Sequence, residues 1–335
     1  MNLLKKEVIH KSLGIGHVAA FDGKIITIQF GEQQKKFSFP SVFNDLLRMK
    51  DTDLQHDITE LCVNENYQIS RQREERLQEY ESRFSYVPES KPDAKKRASQ
   101  LRDKSNIAIK CNYCDGGRTD AVFGYKGVCS DEMIHQNVVV SKRPWCSAPT
   151  CECKRFTGGK ITRDELEKKN AGGGFVCYES RLLRDWIASA GRMQSEKRND
   201  KPIKMTNARV NRLCVLTTKH PKELEVDRKI FAAFIISEVE VGDEQTEGNV
   251  HAHPTFRIDL TPEEAEHVRF WDFHKNKSKP ETPFWGSGLL RYVTDAQSIN
   301  IIKAMMEAAV EPAKKAHILE VLEYYCRVTA AAASK

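Results

Sequence analysis

The sequence predicts an α+β protein in which a small N-terminal β-barrel, a cysteine-rich metal module and a second β-barrel carrying helices follow one another. Three observations lead there. Short β-branched and aromatic runs, punctuated by Gly, Asp-Gly and Pro, fill residues 1–43. Six of the ten cysteines fall between Cys111 and Cys153. Beyond residue 205, apolar β-rich runs give way to amphipathic helical patterns.

In the first segment, residues 17–21, 24–30 and 35–39 read as strands. Asp22-Gly23 between the first two predicts a type I′ hairpin, whose central residues both take positive φ. Pro40 closes the third strand. Residues 44–106 form the second segment. It is helix-forming and highly charged, and residues 72–83 have almost no apolar face. Pro88 and Pro92 mark residues 85–106 as the linker.

The chain has 335 residues, room for two or three domains. No run of about 18 uncharged apolar residues is present, so no membrane span is expected. The N-terminus carries Lys5, Lys6 and Glu7 and lacks the apolar centre of a secretory signal. A reducing, cytoplasmic setting is therefore expected. There, clustered cysteines hold metal or do redox chemistry instead of forming disulfides.

That reading places a metal site in residues 107–190. The candidate ligands are Cys111, Cys114, Cys129, Cys146, Cys151 and Cys153, with Cys177 as a possible seventh. Cys111-x2-Cys114 lets two thiolates reach one ion from a tight turn, and the cluster at residues 146–153 supplies a second half-site. Zinc takes four soft ligands and tolerates irregular spacing, so it is the expected metal. An iron–sulfur cluster, also held by four thiolates, is the alternative. Which four cysteines share an ion stays open. His135 reads as a non-ligand, residues 138–140 as strand, residues 178–190 as helix and Gly172-Gly173-Gly174 as a loop. Cys62, Cys214 and Cys326 read as ordinary packed cysteines.

In the last segment, residues 205–328, strands are expected at 213–218, 230–239 and 255–260. His251-x-His253 reads as part of a loop. Asp295 is expected to cap a helix that buries Ile299, Ile302 and Met306, and a final helix from Pro312 to bury Ile318, Leu322 and Tyr325.

Two stretches carry family resemblances. Val-Ile-His-Lys-Ser-Leu-Gly-Ile-Gly-His-Val at residues 8–18, with Phe37-Ser38-Phe39-Pro40, resembles the SH3- and Tudor-like modules at the ends of bacterial repair helicases. This implies a docking module for a protein partner or nucleic acid. The run at residues 213–221, then Glu225-x2-Arg228 and residues 230–236, resembles PUA-like domains of the EVE and ASCH types, small barrels that bind RNA or modified bases. That resemblance implies an aromatic-lined pocket for an unpaired base. Thr217, Thr218 and Trp285 are its candidate base contacts, with Arg228 and Arg291 as candidate phosphate contacts. Trp285, beside two glycines, is expected to line the pocket, and Trp271, between Phe270 and Phe273, to lie in the core.

Charge points the same way. The net charge is +6, and residues 91–110 carry seven Lys/Arg against two Asp, with Lys95, Lys96 and Arg97 adjacent. Residues 192–212 carry seven more against Glu196 and Asp200. Basic segments attract polyanions by counterion release. The chain has no Walker loop, nucleophile elbow or His-Glu-x2-His motif. Recognition of modified or single-stranded nucleic acid is therefore the expected function. A nucleic-acid-processing enzyme, such as a modification-dependent nuclease or glycosylase, and a protein-docking adaptor are the alternatives.

Overall fold

A computed structural model describes residues 2–83, 105–117, 124–193, 200–276, 279–286 and 288–333. The chain divides into two units, Met1–Gln78 and Glu79–Lys335, each with its own apolar core. The fold is α+β. Among the described residues no helix is long and apolar enough to cross a membrane.

The N-terminal unit is a five-stranded antiparallel sheet. Its strands are β1 (Glu7–His10), β2 (Gly14–Phe21), β3 (Ile25–Phe30), β4 (Gln33–Ser38) and β5 (Leu47–Met49), in the order β4-β3-β2-β1-β5. Period-two alternation puts Val8, Val18, Ile26, Ile28 and Leu47 inside. Helix α1 (Thr52–Arg83) adds Ile58 and Cys62, one turn apart on one face, to that core. The unit therefore runs beyond residue 43. The β2–β3 turn also differs from expectation. Among its residues only Gly23 has positive φ, at 92°, and the Asp22 carboxylate instead accepts the Lys24 and Ile25 N–H groups at 2.9 and 2.6 Å.

The C-terminal unit is built on an open, curled six-stranded sheet. Its strands are β6 (Asn106–Lys110), β7 (Ile187–Ser189), β8 (Leu213–Thr218), β9 (Lys229–Glu240), β10 (Asn249–Asp259) and β11 (Leu290–Val293), in the order β11-β6-β8-β9-β10-β7. Among the described residues only β6 and β8 pair in parallel. Register breaks between β9 and β10 near Ala252, and between β8 and β9 at Thr217, bend the sheet. Every residue of β8 and the first eight of β9 are buried, so these central strands are covered on both faces.

Short helices α2 (Asp131–His135), α3 (Pro144–Ser147), α4 (Glu152–Thr157), α5 (Arg163–Ala171) and α6 (Tyr178–Asp185) lie between β6 and β7. Helices α7 (Pro262–Ala265), α8 (Asp295–Ala308) and α9 (Pro312–Ala333) complete the unit. The cysteine segment is thus bracketed by two strands of the sheet that also contains β8 to β10, and it shares their core.

Several local expectations fail for identifiable reasons. Residues 136–140 continue α2 as a π-helical turn, not a strand. Ser130 caps that helix through the Met133 N–H, and the β-branched run simply rides on it. The helix from Tyr178 stops at Asp185 because Trp186 turns left-handed, with φ of 56°. His251 and His253 lie on strand β10, not in a loop. Thr294, not Asp295, caps α8 in a capping box with Gln297, so the buried face is Ser298, Ile301, Ile302 and Met305. Helix α9 begins at Pro312 and buries Ile318, Leu322 and Tyr325 as expected. The triple glycine ends α5, where the Arg184 guanidinium reaches the carbonyls of Asn170, Gly173 and Gly174.

One buried polar group ties the sheet to the helices. Asn106 donates to Asp295 at 2.7 Å and accepts from the Leu213 N–H at 2.8 Å and the Tyr325 hydroxyl at 2.9 Å. Every arm of this solvent-free amide is used, as burial demands.

Candidate metal centre and adjoining basic pocket

Cys111 follows β6, and its N–H donates to the Thr217 carbonyl at 2.8 Å. The chain then turns tightly. Gly116 has φ of 59°, and a Cβ on Gly124 would stand 2.0 Å from the Gly116 nitrogen, so both positions require glycine. Asp115 anchors the turn by accepting the Gly117 and Ser130 N–H groups at 3.2 and 2.7 Å. This brings Cys114 against Cys129, whose carbonyl is held by Arg163 at 2.7 Å. Cys146 sits on α3, Cys151 precedes α4, and Cys153 lies within α4. Cys177 caps α6, its sulfur accepting the Ser180 N–H at 3.3 Å.

The six cysteines of residues 111–153 are buried, and Cys177 is partly buried. Cys129, Cys146, Cys153 and Cys177 line one cavity of about 10 Å³, together with Glu179 and Asn137. That is about the room one water or one ion needs. Among the described residues no three His, Cys, Asp or Glu side chains converge as a closed metal site. The sulfurs instead meet by hydrogen bonding. Contact with Cys114, then burial, raises the Cys129 thiol well above its ordinary range. Contacts with Cys151 and Cys177 likewise raise Cys153. The Cys153 contact, helped by the Lys154 and Cys153 N–H groups, draws Cys151 down against its burial. Burial, then Glu179 and Cys177, raises Cys146. In kind, this donor set fits a soft ion such as zinc, which takes thiolates and displaces their protons. Cys177 was the weakest of the sequence candidates; helix capping and packing bring it into the centre of the group.

A basic cluster adjoins the thiols, where β6 and β8 end. The Thr218 hydroxyl donates to the Cys111 carbonyl at 3.4 Å, and Thr217 donates to the Ile109 carbonyl at 2.9 Å. Both threonines are fully buried, and these bonds use their hydroxyls. Arg228 is buried and held by Glu225, with a nitrogen–oxygen distance of 3.0 Å. Its guanidinium lies 5.0 Å from the Trp285 ring centre, and that of Arg291 lies 5.5 Å from it. Trp285 is only 1% exposed and donates to the Gly288 carbonyl at 2.8 Å. Trp271 is fully buried as expected, but Trp285 is core too. The exposed ring beside it is Phe284, at 65%.

Sequence reasoning missed four members of this pocket: Lys110, Arg143, Lys219 and Phe284. Burial, then the nearby Arg228 and Arg143 charges, draws Lys110 and Lys219 below their ordinary values against the pull of Glu225. Arg143 and Phe284 each adjoin a proline, Pro144 and Pro283, but their meeting with Lys110 and Lys219 depends on tertiary packing that no local signal carries. Lys95, Lys96 and Arg97 lie outside the described residues. In the second basic segment, Arg192 pairs with Asp200 and Glu247, Lys201 and Lys204 with Glu244, and Arg212 with Asp295. Much of that charge is neutralised within the unit. His251 faces Glu240 at 3.2 Å, whereas His253 stacks on Phe256 with ring centres 4.5 Å apart. The two histidines thus have separate environments.

No protein-family model, curated protein or solved structure matches the chain.

Proposed function

We propose that this protein recognises nucleic acid, single-stranded or modified, through a C-terminal unit braced by a cysteine-held metal, zinc in preference to an iron–sulfur cluster. The observation that carries the reading is the placement of a seven-cysteine group and an excess of cations at the same end of the parallel β6–β8 pair. The metal fixes loops that have little regular structure of their own, and the cations meet phosphate. The curled sheet supports a PUA-like architecture for this unit. The five-stranded N-terminal sheet supports an SH3- or Tudor-like docking role.

Elemental analysis and a visible spectrum of the purified protein test the metal. Zinc without colour is expected; absorption near 400 nm would assign iron–sulfur. Cys114→Ser and Cys153→Ser should each lose metal and stability, and full occupancy in both variants would refute the site. For the ligand, affinity for a single-stranded oligonucleotide should fall steeply as salt rises. Absence of binding at low salt would sink the nucleic-acid reading.

A further inference from the structure

We propose that Lys110, Arg143, Lys219 and Arg291 form a pocket for a phosphate monoester, and that Phe284 beside it stacks on the attached base. The inference rests on the nucleic-acid reading only for the source of that phosphate, either a strand terminus or a free nucleotide.

The four cations come from four separate segments and are all partly buried. Lys110 ends β6, Lys219 follows β8, Arg291 lies on β11, and Arg143 follows the π-helical turn after α2. Gly286 is where three parts of the pocket meet. Its carbonyl accepts from the Lys110 ammonium at 3.3 Å. A Cβ built on it would lie 3.3 Å from an Arg291 guanidinium nitrogen and 3.5 Å from the Phe284 ring. With φ of 74° as well, the position favours glycine and lets charge and ring close in around it. The Arg143 N–H donates to the Asn137 carbonyl at 2.8 Å, the Asn137 amide donates to the Tyr113 carbonyl at 3.3 Å, and the Tyr113 ring lies 5.0 Å from that of His220, the neighbour of Lys219.

The local carboxylates are committed elsewhere. Glu225 holds Arg228, Glu223 holds Lys229 and the His220 N–H, and Glu179 accepts the Asn112 N–H. Among the described residues none of the four cations has an ion-pair partner. Lys110, Lys219 and Arg291 spend donors on the neutral carbonyls of Gly286, Glu223 and Leu290. The Nε of Arg143 is buried with no hydrogen-bond partner. Like charges gathered in a half-buried place repel, and an orphaned guanidinium donor adds to the cost. An incoming anion removes both penalties. A monoester, close to a dianion at neutral pH, answers four unpaired cations better than the single charge of a backbone diester. Guanidinium forks and ammonium groups are the usual phosphate donors. Phe284 then supplies the sequence-tolerant ring face that the buried Trp285 does not.

The test compares a single-stranded oligonucleotide carrying a 5′-phosphate, the same strand with a 3′-phosphate, its hydroxyl-ended counterpart, and a nucleoside monophosphate. Affinity is read by fluorescence anisotropy, or by competition for the mononucleotide. At least one phosphorylated end should bind about tenfold or more tightly than the hydroxyl-ended strand. Arg143→Gln and Lys219→Gln should shrink that ratio towards one without lowering the ligand-free thermal midpoint, since each relieves repulsion. Phe284→Ala should weaken the mononucleotide but leave the midpoint gained from inorganic phosphate unchanged. Equal affinity for phosphate and hydroxyl ends in the wild type, or an undiminished ratio in both Gln variants, would overturn the pocket while leaving general nucleic-acid binding intact. Variant-sensitive binding of the mononucleotide with no oligonucleotide binding would support the pocket and refute the nucleic-acid reading.

Discussion

The N-terminal core is almost wholly aliphatic and aromatic, with His10 and Thr27 its buried polar side chains among the described residues. His10 is accommodated locally: its Nδ1 accepts the Ser12 and Leu13 N–H groups at 3.1 Å, and its ring packs against Phe30 and Phe37. The C-terminal unit buries Asn106, Asp227, Arg228, Lys229, Glu264 and a crowd of thiols. There the buried polar groups are held by named partners, some close in sequence, as Arg228 by Glu225 and Asp227 by the Leu224 N–H, and some distant. Lys229 is held by Glu223 and Glu266, and Glu264 by Lys314 and the Val310 N–H. A sheet that buries only apolar surface needs nothing beyond its pattern. One that buries charge is specified by networks, and the charges left over at the end of β6 and β8 are where chemistry is expected.

The contrast can be broken most sharply at Trp285. Trp285→Ala should destabilise the C-terminal unit by about 3–5 kcal/mol, because it empties a core site and strips Arg228 and Arg291 of their ring. Phe284→Ala, on the exposed neighbour, should change stability by no more than about 0.5 kcal/mol. Denaturant titration of both variants decides the matter. A small loss for Trp285→Ala would mean that the ring is not structural.

Ile28→Ala probes the apolar side of the comparison. Its expected cost is about 2–5 kcal/mol from the lost methyl groups and the cavity left behind. Amide exchange should place the lost protection within the N-terminal sheet. Unchanged protection of β3 would show that the core there tolerates truncation and is not packed as tightly as it is buried.

The smallest expected effect concerns His274. Burial, then the Arg291 charge, lowers its pKa to about 4. The unfolded chain, with an ordinary value near 6.5, therefore binds a proton that the folded one refuses between those limits. Its contribution is constant above pH 6.5. As pH falls from 6.5 towards 4 it costs up to about 1.4 kcal/mol per unit. His274→Phe should flatten this part of the stability–pH curve relative to wild type. Identical slopes would mean that the imidazole is not shielded in solution.

Much of the fold was legible in the residues. Short β-rich runs bounded by turn residues located β2 and β3, continuous apolar runs located β8 and β9, the Pro312 start located α9, and cysteine density located the thiol group. These signals are local, carried by periods of two and 3.6 and by turn residues. Short apolar runs misled, because residues 138–140 satisfy a strand or a helical turn equally well until Ser130 caps the helix before them. The pocket was legible only in fragments. Arg228, Trp285 and Arg291 could be singled out, but not that Trp285 would be enclosed by the other two.

What the sequence determined by itself was therefore the inventory: strands, helices, a cluster of cysteines and an excess of basic charge. The tertiary structure decided which members of that inventory meet. Lys110 stands beside Thr217 only because β6 and β8 pair in parallel, and the hydrogen bond from Thr218 to Cys111 joins positions 107 residues apart. Hydrophobic period sets which face of a strand is buried, but not which distant strand lies alongside or in what register. Register places Lys110 at the end of β8 and Arg291 opposite Ala108, bringing these two cations to Gly286.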